Sequence, residues 1–259
     1  MRAMNDWWQA FFDADYLRLW GQSEVSGSIA AQVEGLWSLL GLQEGSRVLD
    51  APCGYGRLSR PLAERGAIVL GVDQSQTLLE HAERERGGLP SSRLRYLQHD
   101  LRKPLGEEGF DCALNVFTSL GYGTEEDDLA ILETLRAAVR PSGLVFVETN
   151  HRDLTAAFLA RGVPPSQRLP DGTLVVEDPR FDPISGRMET CWYWSGPAGQ
   201  GKKPASLRVY TATELVRLLE RAGLRFRSAH RGCSPEPFRV EGPDLGGRLG
   251  LLAERASGP

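Results

Sequence analysis

The stretch Val48-Leu49-Asp50-Ala51-Pro52-Cys53-Gly54-Tyr55-Gly56-Arg57-Leu58 decides how the rest of the chain is read. A short apolar strand, Arg47–Asp50, ends in an acid, a glycine turn follows, and Leu58–Arg65 reads as a helix stopped by Gly66. Glycine lets a backbone approach a ligand where a Cβ would collide. The helix N-terminus beyond the turn presents free N–H groups and positive potential, which suits a carboxylate or a phosphate.

Outward from this unit the alternation continues. Ile68–Val72 is a strand, Ser75 caps a helix running to about Arg86, and Leu94–Gln98 is a third strand. Phe110–Val116 is nearly all apolar, as a strand buried on both faces should be. Thr124 or Glu125 opens a helix to Val139, and Pro141-Ser142-Gly143 turns into strand Leu144–Glu148. Strands alternating with helices predict βαβ units and a parallel sheet. Upstream, residues 5–20 carry aromatic and apolar residues at helical spacing and read as one amphipathic helix, with a second over 28–40. Downstream of residue 150, prolines punctuate short alternating runs, Thr173–Glu177 and Arg187–Trp194, which predict added antiparallel strands. Helix Thr211–Ala222 and strands Leu224–Ala229 and Gly247–Ala253 then complete the pattern.

Two cofactors compete for the glycine turn. A dinucleotide site carries Gly-x-Gly-x-x-Gly directly after the strand. Here Gly54-x-Gly56 is followed by Ser59 at the third position, and Asp50 precedes the glycines, where its charge disfavours a pyrophosphate. An acid there favours a ligand with an ammonium group, and S-adenosylmethionine (SAM) carries an ammonium and a carboxylate on its methionine end. Asp73, with Gln74 beside it, ends the second strand, where an acid can accept from both ribose hydroxyls. NAD sites do the same, so Asp73 supports an adenosine cofactor without choosing between the two. Asp100 ends the third strand and can accept from an adenine amino group, with Leu101 packing on the ring. Asn115 to Tyr122, including Phe117, is the loop after the fourth strand, where open α/β sheets bind ligands.

Asp50 to Gly56, Asp73, Asp100 and the loop from Asn115 together resemble the class I SAM-dependent methyltransferases, over roughly residues 45–150. Arg140-Pro141-Ser142-Gly143 into Glu148 resembles that family's approach to its fifth strand, with Ser142 where glycine is common. The resemblance implies an α/β, Rossmann-like fold: a seven-stranded, mostly parallel sheet flanked by helices, its seventh strand antiparallel. It implies SAM as cofactor and S-adenosyl-L-homocysteine as product. The loop of Ala51, Cys53, Gly54 and Gly56 would hold the methionine end, Asp73 the ribose and Asp100 the adenine. Tyr16 and Trp20 would close over the cofactor, as N-terminal helices do in similar enzymes. The Pro-Cys pair of cytosine-C5 methyltransferases follows the fourth strand; here Pro52-Cys53 follows the first, so Cys53 is read as a small packing residue. Asn115-Val-Phe-Thr118 lacks the Asn-Pro-Pro-Tyr type motif of amino-group methyltransferases.

One domain of 1–259 is expected, with an N-terminal helical cap (1–40), a cofactor core (45–150), a β-rich lid (155–208) and a C-terminal completion of the sheet (209–259). A lid on the acceptor side favours a small-molecule acceptor. The net charge of −4 exerts no global pull toward nucleic acid or anionic membrane. That leaves an RNA or protein methyltransferase as the alternative, followed by an NAD-dependent oxidoreductase and a SAM-binding protein without catalysis. Cys53, Cys112, Cys191 and Cys233 form no Cys-x-x-Cys pair, so no metal site is expected. Nothing resembles a signal peptide or a membrane span, and a cytoplasmic protein is expected. His151, just beyond the fifth strand, is the first candidate for a general base, followed by Asp153 and Tyr122. Trp192 and Trp194 share one strand face, as core or as a substrate cage, and Tyr193 takes the other.

Overall fold

A computed structural model describes residues 6–21, 28–239 and 247–256. The parallel strands form where the apolar runs fall: β1 (Arg47–Asp50), β2 (Ile68–Asp73), β3 (Leu94–Gln98), β4 (Phe110–Asn115) and β5 (Val139–Thr149). With β10 (Leu224–Arg231) and β11 (Leu249–Arg255) they make a seven-stranded sheet in the order β10-β11-β5-β4-β1-β2-β3. β11 runs antiparallel to both its neighbours, and β1, β2, β3, β4 and β5 pair in parallel. The order reverses between β1 and β4, so the loops after those two strands diverge and leave a crevice at their carboxyl ends.

Helices α4 (Ser59–Glu64), α5 (Gln76–Arg84), α6 (Glu125–Ala138) and α8 (Ala212–Arg221) flank this sheet, with α3 (Ile29–Leu39) ahead of it. Their starts are set by capping chemistry. The Ser75 hydroxyl accepts from the Leu78 N–H at 3.3 Å. Thr124 with Asp127, and Thr211 with Glu214, form reciprocal capping boxes. Core side chains fill both sides of the sheet: Leu49, Leu70, Ala113 and Val145 belong to one cluster, and Val48, Val69, Leu114 and Phe146 to the other.

Two regions differ from the sequence reading. The helix expected over 5–20 is two helices, α1 (Trp7–Phe11) and α2 (Ala14–Trp20), and residue 5 lies outside the described residues. The Asp13 carboxylate accepts from the Tyr16 N–H at 3.0 Å, so a new helix begins where periodicity alone predicted continuation. The segment expected to form a lid contains four antiparallel strands rather than two: β6 (Ser166–Arg168), β7 (Leu174–Asp182), β8 (Arg187–Gly196) and β9 (Gly199–Arg208). It is preceded by α7 (Arg152–Leu159), which overlaps the lid's expected start. β9, rich in Gly and Lys, lacks a strand-like sequence and is held by pairing with β8 along its whole length. Trp192 and Trp194 pack inward against the N-terminal helices, with Trp20 and Trp192 ring centres 4.4 Å apart. Tyr193 points outward, 45% exposed.

Candidate active site

A cavity of about 600 Å³ opens at the carboxyl ends of the parallel strands, roofed by α1 and α2. Its wall is built on the quoted glycine turn. Gly54 (φ 56°) and Gly56 (φ 79°) both adopt the left-handed region, which excludes ordinary side chains at little cost to glycine. At Gly56 a Cβ would also strike the Tyr96 hydroxyl at 2.4 Å.

Two carboxylates flank this turn. Asp50 ends β1, is almost fully buried, and accepts from the Ser59 hydroxyl at 2.6 Å. Burial pushes its pKa up to about 6, opposed by the Ser59 hydrogen bond and by the Arg57 charge. Asp73 ends β2 and accepts from the N–H groups of Gly54 and Ser75, each at 2.8 Å. Burial raises its pKa too, against those backbone hydrogen bonds. The cavity therefore presents acids that gain from a cation or a hydrogen-bond donor. Arg57 supplies the opposite sign on the same wall, held by the Gln32 side chain at 2.7 Å and by the face of Phe117 at 4.9 Å.

Tyr16, Cys53, Gln74, Asp100, Leu101 and Phe117 also lie on the wall. Asp100 is tied to Arg102 through both oxygens, at 2.9 and 2.8 Å, and this bond holds its pKa down. Arg102 reaches on to Asp6 at 3.3 Å and lies over the Trp8 ring at 5.5 Å. Phe117 and Thr118 carry positive φ values of 70° and 58°, a strained pair for non-glycine residues. Glu148 holds them, accepting from Phe117 N–H at 2.7 Å through its side chain and from Thr118 N–H at 3.0 Å through its carbonyl.

Four expected site residues do not line the cavity: Ala51, Gly56, Asn115 and His151. Ala51 and Asn115 form its support, the Asn115 amide donating to the Ala51 carbonyl at 3.0 Å. His151, the candidate general base, stands apart from that wall. It is the residue before α7, bridges to Tyr210 and lies beside Phe238, with ring centres 5.4 Å apart. Its Nδ1 is buried without a partner, and burial pulls its pKa down. The backbone turn into α7 directs the side chain away from the wall. Asp153 is also off it, paired with Arg152 at 3.4 Å. Tyr122 is on it, its phenol pushed up by burial first and then by the Asp73 charge. Sequence reading missed Trp8, Phe12, Tyr55, Arg57 and Asp128 as wall residues. Tyr55 and Arg57 carried a signal, since they lie within and directly after the glycine turn, and Trp8 and Phe12 belong to the aromatic run of the N-terminal segment.

Residues 48–143 match the family model of the methyltransferase domain. Over that segment the chain is similar to methyltransferase domains. The fold as a whole superposes on solved structures over nearly the entire chain. The CcbJ methyltransferase from Streptomyces caelestis aligns with a TM-score of 0.76 at 18% identity, covering 94% of this chain and 96% of that one. An S-adenosylmethionine-dependent methyltransferase from Clostridium acetobutylicum aligns with a TM-score of 0.75 at 14% identity, covering 94% and 97%. Among curated proteins, a ubiquinone biosynthesis O-methyltransferase from Rhizobium etli is 36% identical over 119 residues, which is 45% of this chain and 46% of that protein. The chain thus matches that relative over less than half the length of either protein. Among the described residues no helix is long and apolar enough to cross a membrane, and no cluster of side chains is suited to a metal ion.

Proposed function

We propose that this chain is a SAM-dependent methyltransferase acting on a small-molecule acceptor, read as one domain whose antiparallel sheet belongs to the cover of the site. The observation that carries the reading is the charge pattern around the glycine turn: Asp50 and Arg57 on one wall, with Asp73 one strand away. An ammonium on Asp50, a carboxylate on Arg57 and a ribose diol on Asp73 would satisfy all three. The donor set suits a zwitterion better than a pyrophosphate, for which Asp50 is repulsive. Asp100 would meet the adenine through lone pairs not taken by Arg102, and Leu101 would pack on its face.

Bound SAM supplies a methyl group on a sulfonium, an electrophile whose thioether leaving group departs neutral and needs no acid. The chain's own contribution is then orientation and exclusion of water. Trp8, Phe12, Tyr16 and Trp20 roof the cavity and keep it dry. With His151 off the wall and the Tyr16 and Tyr122 phenols held protonated by burial, the acceptor atom would arrive already nucleophilic. The phenols would serve as hydrogen-bond donors that orient it. The aromatic wall favours a small, partly apolar acceptor over a polymer. Calorimetric titration with SAM, with NADH as comparison, tests the reading. SAM binding that is weakened in Asp73→Ala supports it, whereas NADH binding in place of SAM sinks it.

A further inference from the structure

The antiparallel sheet reaches the cavity wall through one side chain. We propose that Arg187, the first residue of β8, is a positioning residue for the cofactor, acting through the loop Gly121–Gly123. The inference rests on the functional reading above.

The guanidinium of Arg187 fills a ring of carbonyl oxygens. Its Nη2 donates to Gly121 O at 3.2 Å and Tyr122 O at 2.9 Å, and its Nη1 to Gly123 O at 3.0 Å. It is anchored behind by Ser206, through the hydroxyl and the carbonyl, each at 2.9 Å. Among the described residues all these bonds end on carbonyl or hydroxyl oxygens. A partly buried charge spent on three successive carbonyls of one loop fixes the course of that backbone. A planar fork of five N–H donors serves the three loop carbonyls and both Ser206 oxygens at once, whereas an ammonium has only three N–H groups to share among these five acceptors.

The loop so held is part of the cavity. Its far side is pinned by the Gly121 N–H donating to the Asp128 carboxylate at 2.8 Å, and by the Arg208 N–H donating to Gly121 O at 2.8 Å. A Cβ on Gly121 would stand 2.1 Å from the Arg208 carbonyl, so the loop is pressed against β9. Between these fixed points Tyr122 projects onto the wall. Its ring meets Trp7 at 5.2 Å, Phe12 at 5.7 Å and Trp8 at 6.1 Å, and thereby props the roof. It shares that wall with Asp73, the proposed ribose acceptor. Arg187 therefore links a sheet outside the matched domain to the surface that would close on the cofactor.

The test is calorimetric titration of the full chain with S-adenosylhomocysteine. Arg187→Ala and Arg187→Lys are each expected to weaken binding roughly tenfold, while Arg180→Ala, a solvent-facing change in the same hairpin, leaves it unchanged. Guanidinium chloride at sub-denaturing concentration should restore much of the affinity of Arg187→Ala and none of that of Asp73→Ala. A purely structural loss would not respond in this way. Should Arg187→Ala not fold, Arg187→Lys carries the test, since it keeps the stem and the charge. Wild-type affinity in either folded variant, or a loss that guanidinium does not relieve, overturns the proposal. A wild-type protein that does not bind S-adenosylhomocysteine overturns the functional reading instead.

Discussion

The parallel sheet and the antiparallel sheet use charged residues in opposite ways. In the parallel sheet Asp50 and Asp73 stand at strand ends, and their hydrogen-bond partners among the described residues are a neighbouring serine hydroxyl and backbone N–H groups of nearby turns. They keep capacity for a ligand. In the antiparallel sheet Arg187 and Lys203 are consumed by distant protein groups. Lys203 reaches the Asp13 carboxylate at 2.6 Å and the Ala10 carbonyl at 3.3 Å, across about 190 residues of sequence. The first arrangement makes a binding wall, and the second fastens a roof onto it. The comparison teaches that cofactor chemistry and cavity closure are encoded by different parts of the chain.

The largest effect that can test this division is expected at Asp73. Asp73→Ala removes the proposed acceptor of the ribose hydroxyls and frees the Gly54 N–H. Hydrogen bonds to a charged group are worth about 1.5–3 kcal/mol each, so SAM affinity should fall by roughly a hundredfold or more. Calorimetry would detect it, and a loss under threefold would break the assignment of the wall to the cofactor.

Asp50 sharpens the same side through pH. Its folded-state pKa of about 6 lies above the ordinary carboxylate value of 3.8. The ionised form should be the one that receives an ammonium, so SAM affinity should fall as pH drops through about 6. Asp50→Asn should weaken binding by roughly tenfold and flatten that dependence. For the free protein the sign is reversed. Ionising Asp50 inside the fold opposes folding, so its cost is absent below the ordinary value and complete above about 6. Melting temperatures of wild type and Asp50→Asn across this range would show the variant gaining on the wild type as pH rises.

The fastening side should give smaller changes in affinity. Lys203→Met leaves the half-exposed Asp13 without its charged partner and should cost about 1–2 kcal/mol of stability, less than a fully buried pair would. Protease cleavage near α1 and α2 should accelerate, with SAM affinity reduced only several-fold. A loss equal to that of Asp73→Ala would break the distinction between wall and roof. The smallest effect is expected at Ser142, which holds φ 62° near the start of β5. Ser142→Gly relieves a left-handed serine and should raise stability by about 0.5 kcal/mol, read as a small rise in melting temperature with unchanged SAM binding.

Much of the parallel half was legible because its signals are local. Strand, acid, glycine turn and helix follow one another within a dozen residues, and Asp50, Gly54 and Asp73 came out in the expected places. Ser59 shows the limit of such reading. In the sequence it counted only as a missing third glycine, whereas in the fold it is the hydrogen-bond donor that holds Asp50. His151 was placed on the acceptor side because it follows β5. The direction of a side chain at a strand end depends on the next turn, and α7 carries it toward Phe238. α1 and α2 were read as one helix because aromatic periodicity outweighed a single capping aspartate.

By itself the sequence determined the order of the parallel strands' elements, the glycine turn and the two acids beside it, because apolar periodicity and turn chemistry act over a few residues. Only the tertiary structure decided that four strands rather than two form the antiparallel sheet, that Arg57 faces the cavity, and that Arg187 and Lys203 tie this sheet to the cavity wall and to the N-terminal helices. Those outcomes depend on strand register and on contacts between residues 60 to 190 positions apart, and no local pattern carries that information.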